Sequence, residues 1–161
     1  KIAEKFAGHF GKSCGIGTAN LTKVKSRVNP LDDFDIGDWC FKYDEVYSAI
    51  MCLQAGKSAG IDGLSPEHFL FAHESIVDHL LCLFNMMLVH GYAPSSFGAG
   101  IIIPIIKDRH GDATSLDNYR GITLSSILSK VFEACLKEKL GQFLVTSQSQ
   151  FGFKKGHGCV S

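Results

Sequence analysis

Hydrophobic positions along this chain follow two different periods. In residues 1–10, Ile2, Phe6, Ala7 and Phe10 recur at helical spacing and predict a short amphipathic helix. Residues 11–37 carry Gly, Ser, Thr, Asn and Pro without a sustained period and read as a linker or long loop. Helical spacing returns at 44–55. There Val46, Ala49, Ile50 and Leu53 form a stripe behind an acidic first turn, and Gly56 is placed to end the helix. Ser65 and Pro66 mark another helix start, with a short helix to about Ala72. A longer helix is predicted over 75–90, the inner wall of the domain. Ile76, Leu80, Leu83, Phe84, Met87 and Leu88 make its apolar face, with Gly91 and Pro94 to stop it.

The period changes at residue 101. Residues 101–106 are five isoleucines and a proline, a density of β-branched side chains that predicts a strand. Apolar residues of both parities predict burial on both faces, and Pro104, lacking an N–H, belongs at an edge or bulge. Residues 108–118 read as a polar hairpin loop and 119–124 as the return strand. A helix capped by Ser125 or Ser126 then runs to about Leu140, with Leu128, Val131, Phe132, Cys135, Leu136 and Leu140 inward. Glu133 and Lys137 stand outward at a favourable four-residue spacing. The expected fold class is α+β, mainly helical with one β-hairpin.

Composition narrows the class. The chain has 161 residues, 45% hydrophobic and 20% charged, which is enough for one globular core. The formal net charge is zero, so no overall basic field marks a nucleic-acid binder. The charges are unevenly distributed: residues 1–100 carry a balance of −3 and residues 101–161 a balance of +3. Six cysteines occur with no Cys-x-x-Cys pair, and Cys52, Cys82 and Cys135 fall in apolar runs as small hydrophobes. Residues 1–10 have no signal-peptide core, so the expected setting is intracellular, cytoplasmic or nuclear, with reduced thiols and no secretion. No run reaches the ~20 apolar residues of a membrane span. The histidines and cysteines lack zinc-ligand spacing, and the acidic loop with Asp32, Asp33, Asp35 and Asp38 reads as solvated; no metal site is expected.

Three places could carry chemistry. Antiparallel pairing of the two strands would bring Lys107 near Arg120 at the hairpin mouth. A compact ammonium and a planar guanidinium there suit phosphate oxygens, although two solvated strand-end charges would look the same. The loop Lys57-Ser-Ala-Gly-Ile-Asp-Gly63 follows a helix. Gly60 and Gly63 permit special backbone conformations or close approach, in a site or in a plain helix-ending turn. Gln150-Phe-Gly-Phe-Lys-Lys155 interleaves aromatics with cations, which could stack on bases and neutralise phosphates. Equally, Phe151 and Phe153 could be core residues beside two solvated lysines.

These stretches together resemble a known family. The run Ile-Pro-Ile-Ile-Lys, then Asn-Tyr-Arg-Gly-Ile-Thr-Leu, then Ser-Lys-Val-Phe-Glu is similar to the fingers region of reverse transcriptases of non-LTR (LINE-type) retrotransposons. The 57–63 loop resembles that family's Lys-Ser-Pro-Gly-x-Asp-Gly, and Gln150-Phe-Gly-Phe153 its Gln-x-Gly-Phe. The resemblance spans about residues 44–161, leaving 1–43 as a helix and linker preceding an incomplete polymerase domain. It implies RNA template, DNA primer and deoxynucleotide triphosphates as partners of the complete enzyme. Lys107 and Arg120 would lie on the triphosphate. Lys57, Gly60, Asp62, Gly63, Gln150, Phe151, Gly152, Phe153, Lys154 and Lys155 would lie near template or primer.

The same resemblance implies Mg2+ for the complete polymerase, held by aspartates beyond the Gln-x-Gly-Phe segment. No Asp-Asp pair follows Asp33 in this chain, so no catalytic residue and no bound cofactor are expected within it. The sequence thus reads as fingers without palm, inactive alone and binding nucleic acid weakly. A retroelement-derived module that binds nucleic acid or protein without catalysis is the alternative, and an unrelated small α+β protein a third.

Overall fold

The computed structural model describes residues 1–14, 39–141 and 143. Its elements are α1 (Ile2–Cys14), α2 (Tyr43–Met51), α3 (Pro66–Leu70), α4 (Ser75–His90), β1 (Gly100–Ile106), β2 (Tyr119–Ser125) and α5 (Ile127–Leu140). Short 3-10 turns occupy Ser95–Gly98 and Leu116–Asn118. The class is α+β, with one two-stranded antiparallel sheet among the described residues.

The core lies where α2, α4 and α5 meet. Val46, Ala49 and Ile50 of α2 pack with Val77, Leu80, Phe84 and Met87 of α4 and with Ile127, Val131 and Cys135 of α5. Aromatic side chains fill its centre: Phe132 lies 5.2 Å from Phe84, 5.9 Å from Phe41 and 5.9 Å from Phe97 between ring centroids. Phe41 precedes α2, so its backbone enters the core without helical partners. Asn85 satisfies it on both sides, accepting from Phe41 N at 2.7 Å and donating to Phe41 O at 3.1 Å. Glu45 closes the adjacent corner. It accepts from Lys42 N at 2.7 Å, and its other oxygen pairs with Lys139 Nζ at 3.2 Å.

Helix α4 matches the predicted span. Gly91 ends it in the left-handed conformation with φ 58°, and Tyr92 N donates to Met87 O. Its buried face is rotated from the predicted one: Val77 is inside while Leu83 is exposed. Helix α2 stops at Met51, short of the predicted 55, and beyond it the backbone N–H of Gly56 donates to the Glu67 carboxylate at the start of α3. That hydrogen bond holds the Glu67 carboxyl below the usual carboxylate range. Helix α3 ends at Leu70 instead of Ala72. Helix α5 takes Ser126 as its cap, the Oγ accepting from Ser129 N. Helix α1 is longer than predicted and buries only Phe10 of its expected face.

The isoleucine strand departs most from expectation. Ile101, Ile102, Ile103, Ile105 and Ile106 are all 41–51% exposed, where burial on both faces is predicted from sequence. A two-stranded sheet offers no second layer, and α1 covers one face only in part. On that face Phe6 meets Tyr119 edge-on at 4.9 Å, and His9 Nε2 stands 3.9 Å from Asp117 Oδ1. Phe10 lies over Gly121, where an added β-carbon would be 3.2 Å from its ring. An apolar cleft of about 620 Å³ remains between α1 and β1. Two cysteines also depart from expectation. Cys52, just past the end of α2, and Cys82, on the outer side of α4, are exposed, and only Cys135 of those three is buried.

Candidate functional site

Ladder geometry determines where the hairpin cations stand. The register pairs Ile105 with Arg120 and Ile106 with Tyr119. The pairing continues one step further, since Lys107 N donates to Asn118 O at 2.8 Å. Alternate positions share a face, so Lys107 and Arg120 lie diagonally on one side of the hairpin, opposite the side that α1 touches. Both are exposed. Lys107 Nζ donates to the backbone oxygen of Asp117 at 2.7 Å, which anchors the ammonium without neutralising it. The Arg120 side chain makes no hydrogen bond or ion pair among the described residues.

The loop joining the strands is braced from within. Asn118 Oδ1 accepts from Asp108 N, and its Nδ2 donates to Asp108 O and Asp112 O. Asp112 Oδ1 accepts from Thr114 N and from the Thr114 hydroxyl, which lowers the Asp112 pKa. Tyr119 OH donates to Ala113 O at 3.0 Å. The two cations therefore stand at the strand ends beside a loop braced by its own side chains. Asn118 and Asp117 were not singled out from sequence. The available signal was Asn118 beside Tyr119 and Arg120, since a short amide at a loop end can bond both arms.

The 57–63 loop is placed by close packing. Gly60 is buried, and an added β-carbon would lie 2.8 Å from Ser125 O and 3.0 Å from Ser126 N. Gly63 adopts φ 71°, its N–H donates to Gly60 O, and Asp62 Oδ1 accepts from Leu64 N. Lys57 is exposed. The loop thus abuts the end of the hairpin that joins α5, while Lys107 and Arg120 occupy the other end. Ser125 and Arg120 are separated along β2 by about 17 Å at the usual strand rise. The structure brings the two cations together and keeps the loop apart from them. Gln150, Phe151, Gly152, Phe153, Lys154 and Lys155 lie outside the described residues. Among the described residues no group of three or more His, Cys, Asp or Glu side chains is arranged to hold a metal ion.

Comparison with known proteins bears on this geometry. No family model matches the chain. A 115 kDa protein of the type-1 retrotransposable element R1DM of Drosophila melanogaster is 29% identical over 117 residues. A protein named as an RNA-directed DNA polymerase from transposon BS of the same organism is 28% identical over 123 residues. This chain is similar to proteins of transposable elements, one of them named as an RNA-directed DNA polymerase. The similarity covers 72% and 74% of the chain, but only 11% and 14% of those two relatives. The expected resemblance therefore stands across most of this sequence. No helix among the described residues is long and apolar enough to cross a membrane.

Proposed function

We propose that this chain is a section of a non-LTR retrotransposon reverse transcriptase, the section that contacts the template and the incoming deoxynucleotide. Lys107 and Arg120 would grip the triphosphate from the hairpin mouth. The lysine brings a compact charge, and the arginine a planar fork that meets two phosphate oxygens at once. The observation that carries this reading is their diagonal placement on one exposed face, with the Lys107 ammonium held only by a neutral backbone oxygen. The 57–63 loop, held against Ser125 by Gly60, would lie along the template. Lys57 is its exposed cation, and Lys154 and Lys155 would add phosphate contacts beyond the described residues.

Catalysis in such a polymerase needs magnesium held by carboxylates at the reacting phosphate. The part proposed for this chain is binding and positioning. The test is titration of the chain with a deoxynucleotide triphosphate, followed by 31P and amide NMR. Shifts should be confined to residues about the hairpin mouth, and Lys107→Ala and Arg120→Ala should each weaken binding severalfold. Lys137→Ala on α5 should not. Equal binding by all three variants would overturn the clamp.

A further inference from the structure

The two edges of the hairpin are not equivalent. Lys107 N bonds Asn118 O, so that pair is of the hydrogen-bonded kind. In an antiparallel ladder such pairs alternate with pairs whose amides point outward. The outward positions are therefore Gly100, Ile102, Pro104 and Ile106 on β1, and Tyr119, Gly121, Thr123 and Ser125 on β2. Pro104 falls on an outward position, as a residue without an N–H must in an unbroken ladder. It therefore interrupts the free edge of β1 midway and guards it against another strand. Among the described residues nothing comparable guards the middle of β2. Gly121 and Thr123 are exposed, and their N–H and C=O groups face outward. The Ser125 end is closed, where Gly60 lies against the carbonyl, and at the other end the Tyr119 N–H is bonded to Leu116 O.

The side chains beside that edge specify what could join it. Arg120, Ile122 and Leu124 share the face turned away from α1. Arg120 is an exposed cation without a partner among the described residues, with Lys107 diagonal to it. Ile122 is 44% exposed and continues the apolar surface of Ile101, Ile103 and Ile105. A second copy of this chain fits poorly, because antiparallel pairing of two β2 strands about Gly121 would set the two Arg120 side chains diagonally across one face, like charge near like. A strand with a carboxylate at that place fits the charge and also lengthens a sheet that is marginal at two strands.

We propose that the free edge of β2 receives an extended strand from a partner polypeptide, antiparallel, with an acidic residue opposite Arg120 and β-branched residues opposite Ile122 and Leu124. Backbone hydrogen bonds to Gly121 and Thr123 give the affinity, and the alternate side chains give the selectivity. Gly121 adds no side chain to the edge, and Phe10 covers its face. The backbone bonds to β2 are separate from the phosphate clamp, but the acidic residue would compete with a triphosphate for the Arg120 side chain.

The test uses the whole chain and two synthetic peptides, Val-Thr-Val-Thr-Glu and the same peptide ending in Lys, with amide hydrogen exchange as the readout. The glutamate peptide should slow exchange at Gly121 and Thr123. The lysine peptide should bind roughly three- to tenfold more weakly, the scale of a cross-strand charge pair turned from attraction to repulsion. Thr123→Pro removes an outward N–H without breaking a β1–β2 hydrogen bond, and should abolish the protection. If that variant fails to fold, Arg120→Glu replaces it and should reverse the preference between the peptides. Absence of protection by either peptide overturns the proposal, and so does an unchanged preference in Arg120→Glu. Protection of the same amides that grows with protein concentration and no peptide also overturns it, since the occupant is then a second copy.

Discussion

Gly60 and Ser125 touch so closely that a β-carbon on the glycine would stand 2.8 Å from the serine carbonyl oxygen. The backbone of the 57–63 loop is therefore seated directly on the junction of β2 and α5. What sequence alone shows as a flexible residue in a loop is in the fold a packing requirement.

The first prediction follows from that contact. Gly60→Ala should destabilise the fold by about 1–3 kcal/mol, the usual cost of forcing an extra carbon into a filled space. Gly63 meets nothing within 4 Å but sits at φ 71°, so Gly63→Ala should cost only about 1–2 kcal/mol, from backbone strain alone. Urea unfolding of both variants checks the difference. If Gly60→Ala proves neutral, the seating of the loop on Ser125 is wrong.

Asn85 carries the second. Its amide meets both backbone groups of Phe41, and no other partner is seen for them among the described residues. Asn85→Leu should cost about 1–3 kcal/mol, the penalty for stranding polar groups at a core boundary. Asn85→Asp keeps the acceptor and loses the donor, so it should fall between. Thermal denaturation of the three proteins gives the order.

Cysteine reactivity gives the third. Burial, reinforced by the nearby Glu45 and Glu138 carboxylates, pushes the Cys135 thiol up to about 11. At neutral pH it should resist iodoacetamide while the exposed Cys52 and Cys82 are alkylated, as peptide mass mapping would show. The linkage has a definite sign. The unfolded thiol ionises near its ordinary value of 9.0, so between there and about 11 the folded state holds the extra proton. Stability should therefore fall as pH rises across that window. Cys135→Ala should flatten this part of the profile.

The fourth prediction concerns nucleic acid. With zero net charge and its basic excess confined to residues 101–161, the chain should bind primer–template weakly and lose that binding steeply with added salt. It should not extend a primer with magnesium or manganese present. Tight binding that ignores salt would point to base stacking in place of phosphate contact, and template-dependent extension surviving repurification would contradict the binding-only role.

Much of the fold was legible in sequence because local rules and burial agreed. The 75–90 helix has sustained apolar spacing, an acidic first turn and a glycine stop, and the structure ends it at Gly91 as those signals require. The hairpin was equally plain, since a run of isoleucine can hardly be anything but a strand, and its pairing put Lys107 and Arg120 at one end. What each face of an element meets was not legible, because apolar character states a preference for burial without naming a partner. The isoleucines of β1 are exposed because, among the described residues, α1 alone lies against a face of the sheet, through Phe6 and Phe10. Leu83 is outside and Val77 inside because the crossing of α2 over α4 sets the rotation of the helix, a property of two elements together. The closeness of Gly60 to Ser125, the clasp of Asn85 on Phe41 and the separation of the 57–63 loop from the hairpin cations are all contacts between distant parts of the chain. The sequence determined the elements and the chemistry they carry. Tertiary packing alone decided which of those groups stand together, since that depends on how the helices and hairpin fit in three dimensions and on no local pattern.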